Sequence, residues 1–446
     1  MKRLSLISAL LLTGCLTQIG PVNDASPLTM PSDAVLLEHA DDWKKLFTDP
    51  HLVSLIEQAL SNNTDLRTAI LNIEQAEAML KVARMAFLPS LGIGAEGSGS
   101  KQPSSKAQWS YNVPLSTQWE IDISGKLKHD EDAAKALLSE SSEAARAARL
   151  QVIAAVAGHY YNLLMLDEQL KVTQQSILIA HKTVDVMEAM KEVGEQDEAA
   201  INLARATYLN VSSQENTIRH QIEVTENALR LLLGSYPERI VRSSLAVVPV
   251  QIVHDKKYPI SALSYRPDVK AAEYALAACD SQVNAAKAAF YPSLSISASA
   301  GWTNLLGEIV NPGKILLNTV TSLTQPIFDK GQNSANLRVA EVRREQALLA
   351  FRQSLLQAGT ELHESLNACK LSNERISLRT REISSAQKAY DGSIELMRHS
   401  SNTYLEVLAA QSALLQARLA YASDWMDYMQ GCVNLYKALG GNTSSM

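Results

Sequence analysis

The sequence predicts a mainly α-helical chain that also carries membrane β-strands, with the whole arrangement built twice. Three observations point there: an internal repeat at an offset of 203 to 206 residues, long proline-free segments with helical spacing, and a strict period-two alternation between the helical parts.

Residues 65–95, DLRTAILNIEQAEAMLKVARMAFLPSLGIGA, match residues 268–298, DVKAAEYALAACDSQVNAAKAAFYPSLSISA. Both contain Phe-x-Pro-Ser-Leu, at Phe87 to Leu91 and Phe290 to Leu294, where a proline stops a helix and an alternating pattern takes over. Further on, Gly125 corresponds to Gly331 and Gly234 to Gly440, so both halves run the same length between their glycines.

Taken in order, Lys2 and Arg3 precede an apolar stretch, Leu4 to Leu12, that is too short to span a bilayer and reads as a secretory signal. It ends in Leu12-Thr13-Gly14-Cys15: an apolar residue, two small ones, and a cysteine placed to take a diacylglycerol on its sulfur. The expectation is a lipoprotein signal peptide over 1–14, with covalent diacylglycerol and N-acyl lipid on Cys15 and no other cofactor. Leu16 is not an aspartate, so an enteric-type sorting system would pass the lipoprotein on to the outer membrane. Residues 15–60 form an N-terminal anchor segment. The first repeat, 61–234, holds a helix, a β-hairpin at about 91–124 and a long helical hairpin at about 126–234. A linker at 235–263 leads to the second repeat, 264–440, with its β-hairpin at about 294–328 and helical hairpin at about 331–440, and a tail at 441–446.

No proline occurs from Leu115 to Tyr236, nor after Pro326, so both long segments are free to be helical. Leu163, Leu166, Leu170 and Ile177, like Leu405, Leu408, Leu415 and Leu419, follow the three-and-four rhythm of a helix packed on neighbours. A helix of about 60 residues is about 90 Å long. Antiparallel pairs of such rods, turning near Gly194 and Ser400, account for them. Only five phenylalanines among 446 residues fit close-packed helices rather than thick globular cores.

Between the helices the period changes. Trp109, Tyr111, Val113, Leu115, Thr117, Trp119, Ile121 and Ile123 alternate with Ser110, Asn112, Pro114, Ser116, Gln118, Glu120, Asp122 and Ser124. Leu294, Ile296, Ala298, Ala300 and Trp302 repeat the pattern opposite serines and Gly301, and a fourth strand falls within 315–328. An apolar face and a polar face suit a barrel with lipid outside and water inside, and Trp109, Tyr111 and Trp119 suit its aromatic girdles. Four strands cannot close a barrel or satisfy their own edges in hydrocarbon. Several chains must therefore share one, and two, three or four copies give eight, twelve or sixteen strands.

The sequence offers little to catalysis. There is no nucleophile elbow, phosphate-binding glycine loop or His-Glu-x-x-His. His159, His181 and His220 are scattered along one helix, and His129-Asp130-Glu131-Asp132 is read as charge at a helix start rather than as a metal site. Cys279, Cys369 and Cys432 are odd in number and are read as far apart, so they are expected to be small packing residues rather than a disulfide framework or metal cluster. A formal charge of −6 gives no sign of nucleic-acid binding. Glu120 and Asp122, on the polar strand face, are candidate acidic residues of the barrel lumen.

The chain resembles the TolC and OprM type of outer membrane factor, in its lipoprotein, NodT-like branch. The residues that carry the resemblance run from the lipobox at Cys15 through Trp43 to Pro50, Leu55 to Leu60 with Asn62 to Leu66, and both Pro-Ser-Leu motifs. It continues with Glu120-Ile121-Asp122 before Gly125-Lys126, Tyr404 to Leu408 with Ala410-Gln411, and the ending Asn434 to Gly441. The resemblance implies a homotrimer, a 12-stranded outer-membrane barrel, a periplasmic α-barrel with an equatorial region around it, and a passive exit duct for drugs or other small molecules. It also implies docking on a periplasmic membrane-fusion adaptor that links the duct to an inner-membrane pump, of RND type. The adaptor-docking tips would be Val193, Gly194 and Glu195 in the first hairpin and Ser400 and Ser401 in the second. There His399-Ser400-Ser401 replaces the family's usual glycine. Tyr404 and Glu406 are candidate aperture residues. The rival readings are a periplasmic coiled-coil adaptor or structural lipoprotein without a pore, and an exit duct for type I protein secretion. Two equivalent hairpins with amphipathic strands in each repeat speak against the adaptor.

Overall fold

The computed structural model describes residues 43–101, 108–194, 197–235, 239–245, 260–303, 316–399 and 404–441. The predicted signal, Cys15, Glu195, Ser400 and Ser401 lie outside these residues, as does much of the predicted linker and tail.

Each element starts where local chemistry starts it. Helix α1 covers Trp43–Leu46 and α2 covers Pro50–Asn62, whose N-cap Asp49 accepts from the His51 N–H at 3.0 Å. Helix α3, Thr64–Met85, is capped by Asn63, which accepts from the Leu66 N–H at 3.0 Å. Strands β1 (Ser90–Ile93), β2 (Glu96–Ser100) and β3 (Gln108–Ile121) lead into α4, Lys126–Glu192, and α5, Glu198–Leu233. A short 3-10 helix, Ile260–Tyr265, then precedes α6 (Pro267–Ala288), β4 (Ser293–Thr303), β5 (Leu316–Thr324), α7 (Gln332–His399) and α8 (Tyr404–Ala438). The predicted duplication is present: α3 and α6 have 22 residues each, α4 and α7 have 67 and 68. At 1.5 Å per residue the two long helices reach about 100 Å.

Prediction and structure agree on the four strand positions, but one limb is split, and Pro114 explains the split. Strands β1 and β2 both pair antiparallel with β3 in one continuous register, Ile93 opposite Leu115 and Glu96 opposite Asn112. The gap between them faces Pro114, which has no N–H to donate, although its carbonyl still accepts from the Gly94 N–H at 3.0 Å. On its other side Pro114 is opposite Gly301 of β4, where an added Cβ would come within 2.7 Å of the proline Cα. A proline inside a sheet is thus accommodated by glycines on both neighbouring strands. The sheet order is β1-β3-β4-β5, with β2 on the same edge as β1.

The helices form layers that mirror the sheet. Next to the sheet α3 packs on α4, α4 on α6 and α6 on α7. Farther along, α5 packs on α4, α4 on α8 and α8 on α7. The lateral members keep apolar residues exposed: Met79, Val82 and Met85 on α3, Leu209 and Val224 on α5, and Val339, Leu349, Leu371 and Leu378 on α7.

The two repeats are fastened by corresponding bonds. Trp119 Nε1 donates to the carbonyl of Phe87 at 2.8 Å, and Gln325 Nε2 donates to that of Phe290 at 3.0 Å. Asn63 Nδ2 donates to the Leu232 carbonyl at 3.1 Å, and Arg266 Nη1 to the Ala438 carbonyl at 3.4 Å. Beside these clamps Gly234 adopts φ 59°, and a Cβ there would lie 2.9 Å from the Asn62 carbonyl oxygen. Only glycine meets both demands.

One aromatic core gathers where the helix layers meet. Trp43, Phe47, Tyr160, Tyr161 and Tyr436 are fully buried there, with Phe47 and Tyr436 edge to face at 5.8 Å and Tyr161 and Trp425 at 5.9 Å. The buried Asp49 carboxylate accepts from Tyr160 Oη and from Ser243 Oγ, fixing the 239–245 segment on α4. The structure also corrects the reading of the cysteines as mutually distant, because antiparallel packing of α7 on α8 sets the sulfurs of Cys369 and Cys432 3.9 Å apart.

Candidate functional site

The two ends of the molecule hold the candidate site residues, and the sheet is the first. Its rows alternate as the period-two pattern requires. Ile121 lies opposite Leu294, which lies opposite Leu323, and Trp119, Ile296 and Thr321 make the next row of the same face. Leu115 sits between Ile93 and Ala300. Leu91, Ile93, Leu115, Trp119, Leu317 and Leu323 are all exposed, and Trp109 is 77% exposed and lies across Gly99. The opposite face carries Glu120, Ser295 and Ser322 in one row and Ser116, Ser299 and Asn318 in another. Such an apolar face, left uncovered by the protomer, is a surface for lipid. No helix among the described residues is long and apolar enough to cross a membrane.

The two acidic candidates part company here. Glu120 stays on the polar face, with Lys126 Nζ 3.9 Å away, so part of its charge is answered within the chain. Asp122 lies beyond β3, and its carboxylate accepts from the Lys128 N–H at 2.9 Å. The expectation that both point into one bore is corrected for Asp122, because a carboxylate at a helix start is held by the orphan N–H groups of the first turn. In the run beyond it Lys128 pairs with Glu131 and Asp132, and Arg84 of α3 with Glu131.

The other end is the tip of the helical hairpins. Val193 is 72% exposed and Gly194 turns the chain with φ 78° and no atom within 4 Å of an added Cβ. Asp197 caps α5 by accepting from the Ala200 N–H at 2.8 Å, and Lys191 pairs with Glu198 across the turn. Of the remaining docking candidates, Glu195, Ser400 and Ser401 lie outside the described residues. Tyr404 differs from the expectation of an aperture lining. It is 4% exposed and packs with Met187, Ile201, Ala204 and Leu408, so the two hairpin tips share a small core. Burial pushes the Tyr404 phenol up to about 12. Glu406, two residues on, is exposed. The tip core was not anticipated as a unit. Its signal was present in the three-residue step from Ile201 to Ala204 and the four-residue step from Tyr404 to Leu408, but nothing local says that these stripes face each other.

Comparison with known proteins places this geometry. The profile of the outer membrane efflux protein family matches residues 55–235 and 259–441, one match for each repeat. The cation efflux system protein CusC of Escherichia coli strain K12 is 29% identical over 99% of this chain and 99% of its own. The probable outer membrane lipoprotein SilC of Salmonella typhimurium is 26% identical over 99% and 98%. The solvent efflux pump outer membrane protein SrpC of Pseudomonas putida is 29% identical over 90% and 87%. A solved structure of CusC, studied for folding and transmembrane channel formation, superposes with a TM-score of 0.84 at 27% identity, covering 94% of this chain and 98% of that one. With two family matches that fall on the two structural repeats, the chain belongs to the outer membrane efflux protein family.

Proposed function

We propose that three copies of this chain close edge to edge into an exit duct that opens through the outer membrane and reaches down into the periplasm. One observation carries this reading: among the described residues, every layer of the protomer is open at two lateral edges. In the sheet the edges are β1 with β2 and β5, and in the helix layers α3 or α5 on one side and α7 on the other, all with exposed apolar residues. Unpaired strand edges and bare apolar helix flanks are costly alone and cheap in a closed ring. Four strand limbs from each of three copies make the 12-stranded barrel.

In this duct the apolar sheet face meets lipid and the polar face lines a wet bore. The lipid on Cys15 holds the assembly to the membrane. The tips around Val193, Gly194, Glu195, Ser400 and Ser401 dock on a periplasmic membrane-fusion adaptor, which an inner-membrane pump of RND type supplies with cargo and energy. Glu406 is the aperture residue that stays exposed, and Glu120, repeated in each copy, gives the bore a weak preference for cations. The cargo is small: the name of CusC specifies cations and that of SrpC solvents.

The test is a planar-bilayer recording on the purified protein together with its cross-linked mass. A conducting trimer is expected. A stable assembly that never conducts sinks the duct reading, and unchanged conductance in Glu406→Ala removes that residue from the aperture.

A further inference from the structure

Cys369 of α7 and Cys432 of α8 are both buried, their sulfurs are 3.9 Å apart, and 63 residues separate them in sequence. The helices are drawn together at this level by Gly431, where an added Cβ would lie 3.1 Å from both the N and Sγ of Cys369. Tyr428, one turn earlier on α8, hydrogen-bonds to Cys432. Two buried thiols whose sulfurs lie 3.9 Å apart, on antiparallel helices that a glycine lets approach, are within reach of a disulfide, which needs about 2.0 Å between sulfurs, a difference of the size that rotation of the two side chains covers.

The first repeat shows what this level of a hairpin requires. The residues corresponding to Cys369 and Cys432 are Leu163 and Glu226. There Arg242 bridges Asp167 of α4 and Glu226 of α5, with Nη2 to Asp167 Oδ1 at 2.8 Å and Nη1 to Glu226 Oε1 at 2.6 Å. The first hairpin is thus tied across its two helices by an ionic bridge, and at the same height the second offers two thiols.

We propose that Cys369 and Cys432 are joined by a disulfide in the assembled protein and clasp α7 to α8 about 45 Å from the tip end of α7. The inference rests on the placement of these helices in the periplasm, an oxidising compartment. The co-reactant is a periplasmic protein disulfide. One cysteine thiolate attacks a sulfur of that disulfide to give a mixed disulfide, and the second thiolate displaces it. The oxidant leaves as a dithiol, having taken up the two electrons and two protons that the cysteines lose. Because both sulfurs are shielded in the folded chain, the exchange takes place before α8 closes on α7. The clasp holds the base of the hairpin, where α8 ends, and leaves the tip-side length free to move.

The experiment uses the full-length wild-type protein. Cells are quenched in acid, and the protein is recovered from the outer-membrane fraction and alkylated with N-ethylmaleimide in denaturant. It is then reduced, alkylated with iodoacetamide and mapped by tryptic mass spectrometry. The expected result is that Cys369 and Cys432 carry only the second label, that peptides 353–370 and 419–437 appear joined when reduction is omitted, and that Cys279 carries the first label. Cys369 and Cys432 carrying the first label overturns the proposal, and so does either of them joined to Cys279. A chain absent from the outer-membrane fraction overturns the duct reading instead, so the two failures are distinguishable.

Discussion

Arg266 begins the second repeat and is 2% exposed, a cation placed inside the protein. Its guanidinium forks onto Asp268, Nε to Oδ1 at 3.0 Å and Nη2 to Oδ2 at 2.6 Å, and Nη2 also reaches Glu361 of α7 at 2.7 Å. With the Ala438 carbonyl it ties α6, α7 and the end of α8 together. Arg266→Met keeps most of the buried stem and removes the charge. Losing one partner of a buried ion pair costs about 3–5 kcal/mol. The Asp268 and Glu361 side chains are 46% and 30% exposed and regain some water, so the lower end of that range, about 3 kcal/mol, is expected. Arg266→Lys, which keeps a charge and loses the fork, is expected to fall between the two. The assay is urea unfolding of the detergent-solubilised protein followed by circular dichroism, repeated from pH 7 to pH 3. Burial pushes Asp268 up, but hydrogen bonds and charge from Arg266 outweigh it and hold the carboxyl below its ordinary value. A depressed carboxyl stabilises above its unfolded value, about 4, and the gain is lost as pH falls through the folded value. The gap between wild type and Arg266→Met should therefore narrow below about pH 4. A gap under about 1 kcal/mol at pH 7, or one that widens in acid, refutes the reasoning.

Other substitutions test other joints. Gly301→Val drives a side chain into the Pro114 backbone and should abolish the cross-linked trimer on gels, while leaving the helical circular dichroism signal in place. Tyr160→Phe removes the buried hydroxyl that donates to Asp49 and accepts from the Ser243 N–H at 3.1 Å, and should lower unfolding stability by about 2 kcal/mol, measured with urea. Gly194→Ala meets no atom, so only the strain of φ 78° counts, about 1 kcal/mol. Hydrogen exchange should quicken most at the tip, with the global unfolding free energy lowered by no more than about 1 kcal/mol.

How much of this was legible beforehand depended on the range of the interaction. Both helix stops at Phe-x-Pro-Ser-Leu, the strand within 315–328 and the turn at Gly194 were readable because proline, glycine and the periods of two and three-and-four act over a few residues. Gly125, Gly234, Gly331 and Gly440, found by matching the halves, all have positive φ, so the repeat also located the backbone's special points. Asp122 departs from the strand pattern because alternation does not reveal where a strand yields to a helix whose first N–H groups need an acceptor. Tyr404 departs from an aperture position for a similar reason, since one helix stripe does not say which partner it faces.

By itself the sequence determined the duplicated plan, the element types and the apolar and polar faces of the strands, because each is written in local periodicity. Only the tertiary structure decided that Pro114 is seated between glycines of two neighbouring strands, that Arg266 and Asn63 perform the same clamp in the two repeats, and that Cys369 meets Cys432. Those depend on residues tens to hundreds of positions apart, whose proximity is set by helix packing and strand register.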